Sequence, residues 1–343
     1  MRILLTGDRG YLGVVMVQYL RNLGHPVTGL DTDYYFDGDL VKPPEDYPRL
    51  KTDIRDVTRE ELKGFDAVIH LAALSNDPLG DLNPEWTYDI NYNASLRLAE
   101  LAKEAGVRRF LYASSCSLYG AAGEETLKED APMRPLTPYA ESKVRTEEAL
   151  SRLGDGRFAP TFLRNATVYG VSPRLRLDIV LNNLVGWAVT VGKILILSDG
   201  SPWRPIVHVQ DVAQAFACVL QGPLELVSSH AFNVGVNSEN YQVRELAAIV
   251  QQVIPTCSIE YSGKAGPDPR NYRVDFSKLE RAFPAFRPRW NALEGARELY
   301  AAYRATGMTA EDFHGRKFTR VKQLKYLIGT GRLDDSLRWK REN

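Results

Sequence analysis

Thr6-Gly7-Asp8-Arg9-Gly10-Tyr11-Leu12-Gly13 is the stretch that decides the fold. The apolar run ahead of it, residues 2–6, reads as a short buried strand, and residues 11–23 carry apolar side chains at helical spacing. Between them stand three glycines in the pattern G-x-x-G-x-x-G. Gly7 lets the chain turn sharply, Gly10 leaves room for a pyrophosphate against backbone N–H groups, and Gly13 lets the helix sit close to the strand. Tyr11 and Leu12 open the helix and belong to the same cradle. Asp31 ends the next apolar run, 18 residues beyond Gly13. A carboxylate there accepts hydrogen bonds from an adenosine ribose and repels a 2′-phosphate, which favours NAD over NADP. Arg9 speaks mildly the other way, because a cation inside the loop can meet a 2′-phosphate.

Outward from this loop the first half alternates. Residues 27–31, 67–71 and 109–114 read as strands that are apolar throughout. Residues 86–105 and 139–153 read as helices, the first ended by Gly106. Apolar strands separated by helices imply a parallel sheet covered on both faces. The expected fold class is α/β: a Rossmann-type doubly wound parallel sheet with a smaller mixed α/β substrate domain towards the C-terminus. The dinucleotide domain is placed at residues 1–168, with 205–235 returning to it. Residues 169–204 and 236–306 are assigned to substrate binding, and 307–343 to a basic helical tail. That tail reads as a solvated helical face, with a packing arm against a partner subunit as the sharper alternative.

Composition narrows the class. The 343 residues carry 43 Lys+Arg against 43 Asp+Glu, so bulk electrostatics provide no surface for nucleic acid or an anionic membrane. Three widely spaced cysteines fit neither a disulfide framework nor a zinc site, and no metal is expected. No apolar run is long enough for a membrane span, the N-terminus does not read as a signal peptide, and a cytoplasmic setting is expected.

Further residues extend the dinucleotide site. Asp53 and Ile54 are placed at the adenine edge. His70-Leu71-Ala72-Ala73 either lines the pyrophosphate and ribose with small residues or serves close packing alone. A second constellation carries chemistry. Tyr139 and Lys143 stand at i and i+4 on one helix face. A free tyrosine, with a pKa of about 10, is a poor base at neutral pH, and an adjacent ammonium with a positive nicotinamide would favour its phenolate. Ser114-Ser115-Cys116-Ser117-Leu118-Tyr119-Gly120 follows a strand at the edge where open α/β sheets bind ligands. Ser115 is placed to share a substrate hydroxyl with Tyr139.

With these motifs the sequence resembles the extended short-chain dehydrogenase/reductases, and among them the nucleotide-sugar epimerases and dehydratases, nearest to UDP-glucose 4-epimerase-like enzymes. The resemblance covers about residues 1–285. It also rests on Tyr88-Asp89-Ile90-Asn91-Tyr92-Asn93-Ala94-Ser95-Leu96-Arg97-Leu98, with Ala94 where the family usually has glycine. It implies tightly bound NAD, a nucleotide-diphosphate sugar as substrate and a homodimer. It implies Ser115, Tyr139 and Lys143 as catalytic residues, and Asn91, Ser114 and Val168 beside the cofactor. Ser75, Asn76, Cys116 and Thr167 fall to the sugar. Asn182-Asn183-Leu184 looks like the family segment that holds the nucleotide, through Asn183 and Leu184.

Trp203-Arg204-Pro205-Ile206-Val207-His208-Val209-Gln210-Asp211 and Asp268-Pro269-Arg270-Asn271-Tyr272-Arg273 resemble the segments that supply arginines to the substrate diphosphate, here Arg204 and Arg270. Arg174 is a third candidate. The 4,6-dehydratase branch has Asp-Glu where this chain has Cys116-Ser117, which disfavours that reaction. Cys116 reads chiefly as a small buried thiol and secondarily as an unusual acid/base. The expected function is an epimerase acting through a transient 4-keto sugar. A nucleotide-sugar reductase or dehydrogenase with an exchangeable cofactor is the alternative, and a non-catalytic cofactor sensor stands behind both.

Overall fold

The computed structural model describes residues 1–261 and 270–340. Asp268 and Pro269 of the Arg270 motif, and residues 341–343 of the tail, lie outside the described residues. Four consecutive buried side chains in Ile3–Thr6 make β1 an interior strand. The other strands of the main sheet are β2 (Val27–Leu30), β3 (Arg49–Leu50), β4 (Ala67–His70), β5 (Arg109–Ser115), β6 (Ala159–Asn165) and β7 (Ala231–Val234). All pair in parallel, in the order β7-β6-β5-β4-β1-β2-β3. Ile3 is in register with Val27 on one side and Ala67 on the other. The order reverses direction at β1, so β1 and β4 flank a topological switch point, where such sheets open a crevice.

Helices α1 (Tyr11–Asn22) and α4 (Val209–Gln221) cover one face; α2 (Ala94–Glu104) and α3 (Pro138–Ser151) cover the other. A second lobe packs around Leu181, Val185, Ile194, Leu246, Leu299 and Phe313. Its strand Trp203–His208 runs parallel to Thr167–Tyr169 and antiparallel to Asn240–Gln242. Among the described residues no helix is long and apolar enough to cross a membrane.

Three local outcomes differ from the sequence expectations. The helix foreseen over 86–105 is interrupted: Pro84–Thr87 leads into a π-turn at Tyr88–Asn93 before α2 begins. β6 escaped the apolar-run criterion because it carries Pro160, Arg164 and Asn165, yet every residue in it is buried. Arg164 is tolerated there because its Nη2 meets the Glu147 carboxylate of α3 at 2.7 Å. The basic tail is not a solvated face. Arg320, Gln323, Leu324 and Leu327 of its helix α5 (Arg320–Gly329) are buried, and Leu333 and Leu337 join the core under α2. Only one side, with Lys322 and Lys325, faces solvent.

Candidate active site

A cavity of about 370 Å³ follows the crevice. Its wall takes in Asp31, Thr32, Tyr34, Tyr35, Asp53 and Ile54, Gly7, Gly10 and Tyr11–Gly13 of the glycine loop, and Leu71–Ser75. It then reaches Ser114, Ser115, Tyr139 and Lys143, and Arg204, Arg270 and Tyr272.

The glycines act through space as well as rotation. Gly7 has φ +76°, and a Cβ there would stand 2.8 Å from Ala72 N; one at Gly13 would stand 1.9 Å from Gly7 O. Asp8 braces the loop from behind, accepting from Tyr47 Oη and Arg49 Nε, each at 2.7 Å. The N-cap of α1 is Gly10, with no side-chain cap and no acidic residue in the first turn. Its N–H groups and the positive end of the helix dipole are left for an anion. Asp31 accepts from the backbone N–H of Arg9 and of Asp33, at 3.1 and 2.8 Å. Burial, with the Asp8 carboxylate nearby, pushes its carboxyl up to about 6. Arg9 does not line the cavity and pairs with Asp33 and Glu45. Asp53 is gripped by Arg55 at 2.7 Å.

At the other end, Thr137 caps α3 by accepting from Ala140 N at 3.2 Å, which sets Tyr139 in its first turn. The Lys143 ammonium donates to Ala113 O at 2.8 Å and lies 5.6 Å from the centre of the Tyr139 ring. Burial pushes Lys143 down to about 7. Burial likewise pushes the Tyr139 phenol up to about 12, helped by Asp77 and opposed by a hydrogen bond with Ser115 and by Arg176 and Arg270. In the protein alone, desolvation of the phenol outweighs the cations that act on it, Arg176 and Arg270.

Four further site expectations are corrected. Arg174 is fully buried, pairs with Asp39 at 2.8 Å and does not line the cavity. Cys116 is the small buried thiol of its chief reading, pushed up by burial and donating to Arg164 O, and it is its placement at the sugar that is corrected. Asn183 and Leu184 lie beyond the wall, Asn183 donating to Leu177 O at 2.9 Å, because the second-lobe helix Val180–Val191 meets the cavity through Ile179 and Val180 instead. Asn91 does not reach the cavity. Its side chain accepts from Leu74 N at 2.8 Å and donates to Leu74 O at 3.0 Å, locking the wall from the π-turn.

Ser75, Asn76, Thr167 and Val168 do line the cavity. Asn76 also caps the short helix Asp77–Gly80 and donates to Asp178 at 3.0 Å. Arg204 donates to Trp203 O at 2.7 Å and to Arg270 O; Arg270 pairs with Asp77 at 2.6 Å.

Sequence reasoning missed Asn165, Arg176, Asp178 and Arg320, all on the wall. Asn165 ends β6 and donates to Ser114 O at 3.2 Å. Arg176 pairs with Asp178 at 2.8 Å and donates to Ser75 Oγ at 3.2 Å. The signal for Asn165 was its place at the end of the strand next to Ser114; for Arg320 there was none beyond the basic run.

The cavity fits a dinucleotide. Its cradle excludes a Cβ at two glycines, its helix end lacks a cap, and the buried Ser114 Oγ and Asn165 Oδ1 have no partner among the described residues. Comparison with known proteins agrees. The model of the NAD dependent epimerase/dehydratase family matches residues 3–235. UDP-glucose 4-epimerase of Mycolicibacterium smegmatis is 29% identical over 319 residues, covering 89% of this chain and 99% of its own. UDP-glucuronic acid decarboxylase 1 of Arabidopsis thaliana is 27% identical over 317 residues, covering 89% and 70%. Among solved structures, MoeE5 in complex with UDP-glucuronic acid and NAD superposes with a TM-score of 0.79 at 26% identity, covering 89% of this chain and all (100%) of that one.

Proposed function

The chain belongs to the NAD-dependent epimerase/dehydratase family, and from that premise we propose that it inverts a carbon of a nucleotide-diphosphate sugar through a transient 4-keto sugar. The observation that carries this reading is one continuous cavity, with the dinucleotide cradle at one part and Ser115, Tyr139 and Lys143 at another. NAD held there supplies a reversible hydride acceptor and, when oxidised, a positive charge beside the phenol.

The chain's own work is proton handling and orientation. Tyr139 takes the proton of the C4 hydroxyl and later returns it to the oxygen of the inverted centre. Ser115 orients that hydroxyl by sharing its hydrogen bond. Lys143 donates to the cofactor ribose and stabilises the phenolate. Asp31 accepts from the adenosine ribose, and Asp53 with Ile54 bounds the adenine. Arg204 and Arg270 offer planar forks to the substrate diphosphate. Thr167, Ser75 and Asn76 face the sugar.

Inversion is favoured over 4,6-dehydration by the two residues after Ser115. Cys116 is sealed in the core and Ser117 is neutral, so neither position offers a carboxyl to protonate a leaving hydroxyl. The test is incubation of the purified protein, without added cofactor, with a panel of UDP-, GDP-, CDP- and dTDP-sugars that includes UDP-glucuronic acid. Epimer formed without added NAD supports the reading. Turnover seen only in a parallel incubation with added NAD(P)H, which it consumes stoichiometrically, would replace it with the reductase alternative, and loss of carbon dioxide from the uronic acid with a decarboxylase.

A further inference from the structure

Arg320 comes from the tail, outside the stretch that the family model matches, yet its side chain lines the cofactor cavity. It is 2% exposed and makes no ion pair among the described residues. Its guanidinium stacks 4.2 Å from the centre of the Tyr35 ring and donates to Arg174 O at 3.3 Å. Two more guanidinium groups crowd it, those of Arg174 and Arg176, and burial with these neighbours pushes Arg320 down to about 10. Arg174 and Arg176 have carboxylate partners in Asp39 and Asp178. Asp178 is shared, acting on Arg320 as well as pairing with Arg176, so three guanidinium groups here face two carboxylates and one positive charge is left over at the cavity wall. A buried cation without a counter-charge is costly, and an anionic ligand in the cavity offsets that cost.

Position selects which anion. Tyr35 feels both Arg320 and Asp31, the carboxylate proposed for the adenosine ribose. Arg176 feels Tyr11 at the start of α1 and acts on Tyr139 at the catalytic end. Arg320 stacks on Tyr35 and has Arg176, which donates to Ser75 Oγ, as its neighbour on the wall, and we take this stretch to lie between the end proposed for the adenosine ribose and the catalytic end. In a dinucleotide that stretch is the pyrophosphate. The Arg176 Nη2 is also buried and without a partner among the described residues, so a second donor is available beside it.

The tail is fastened there. Trp339 Nε1 donates to Thr32 O at 2.6 Å, Tyr34 Oη donates to Leu337 O, and Arg55, which holds Asp53, donates to Ser336 O at 2.6 Å. Thr32, Tyr34 and Asp53 all line the cavity.

We propose that the C-terminal segment is part of the cofactor site, with Arg320 closing on the NAD pyrophosphate from the side opposite in sequence to the glycine loop. Two phosphate grips then act together: neutral N–H groups of α1 and one guanidinium from the tail. This inference rests on NAD as cofactor and not on which sugar reaction is catalysed.

The test is equilibrium binding to full-length cofactor-stripped protein, comparing wild type with Arg320→Met and Arg320→Lys. NAD and ADP-ribose, which carry the pyrophosphate, should bind about 10- to 100-fold more weakly to Arg320→Met, the range for a hydrogen bond to a charged group. Arg320→Lys should recover part of that loss. Adenosine binding should be unchanged, which separates loss of the grip from loss of fold. Equal weakening of adenosine and NAD would overturn the proposal in favour of a structural role. NAD binding unchanged, with weakened binding of UDP-sugar, would reassign Arg320 to the substrate.

Discussion

The Lys143 ammonium lies 5.6 Å from the centre of the Tyr139 ring but gives its hydrogen bond to Ala113 O, at 2.8 Å. Lysine and tyrosine share a helix face, and both are driven towards neutrality by the same dry surroundings: the amine to about 7, the phenol to about 12. In the protein alone both groups are thus held towards neutrality by their burial.

Replacing the phenol tests its role as base. Tyr139→Phe should lower kcat by about 10²- to 10⁴-fold, the usual share of a general base. NAD binding, measured by calorimetry, should stay within about threefold. Unchanged turnover would remove Tyr139 from the chemistry.

Stability of the cofactor-stripped protein should rise with pH above neutrality. Folded Lys143 loses its proton near pH 7, whereas an unfolded lysine keeps it to about pH 10. Between those values the unfolded chain binds more protons, so unfolding becomes less favourable as pH rises. The urea midpoint should therefore climb between about pH 7 and 9, and Lys143→Met should remove that part of the slope. An identical slope in both proteins would mean the buried amine stays charged.

Asp31 titrates near 6, raised by burial and by Asp8. Its ionised form accepts from ribose hydroxyls, so NAD should bind more tightly as pH rises through that value. Asp31→Asn should lose this pH dependence, weaken NAD about tenfold or more and narrow the preference for NAD over NADP. Isothermal titration at about pH 5 and about pH 7.5 reads all three effects.

Arg270→Met should separate substrate from cofactor. Its partner Asp77 stays in place at the end of a capped turn, while one fork for the sugar diphosphate is lost. KM for the productive UDP-, GDP-, CDP- or dTDP-sugar should rise about 10-fold or more with NAD content unchanged. A fall in kcat alone would instead point to Asp77 perturbing Tyr139.

Asn91→Ala should act at one remove. The side chain touches Leu74 rather than the cavity, so its loss leaves a backbone N–H and C=O unpaired, at a cost of about 1–3 kcal/mol. The thermal midpoint and kcat should fall together, and Asn91→Asp, which keeps the acceptor for Leu74 N, should recover part of each.

Periodicity and glycine placement made the first half of the fold legible, because β1, β2 and β4 are short, apolar and bounded by turn residues. β6 was not legible. Its buried Arg164 depends on Glu147 of α3, a partner that no local pattern announces. In the site, residues on strand ends and one helix face were readable from order along the chain: Ser115, Tyr139, Lys143, Asp31. Arg174 was misplaced because the loop between Gly170 and Val180 decides by its three-dimensional path which of its polar groups face inward, and Asn183 because the helix that follows turns it back onto Leu177 O. Arg176 does; Arg174, two residues earlier, is sealed against Asp39.

The hook that ends in Trp339 has a temporal consequence. Its contacts with Thr32 and Tyr34 join positions 307 and 303 apart along the chain. During synthesis the glycine loop exists long before those partners, so the adenosine end of the cavity stays unfinished until residue 339 has been made. Closing contacts of such long sequence separation is slow and comes late. On the proposal that this segment completes the cofactor site, firm capture of the dinucleotide waits for that closure.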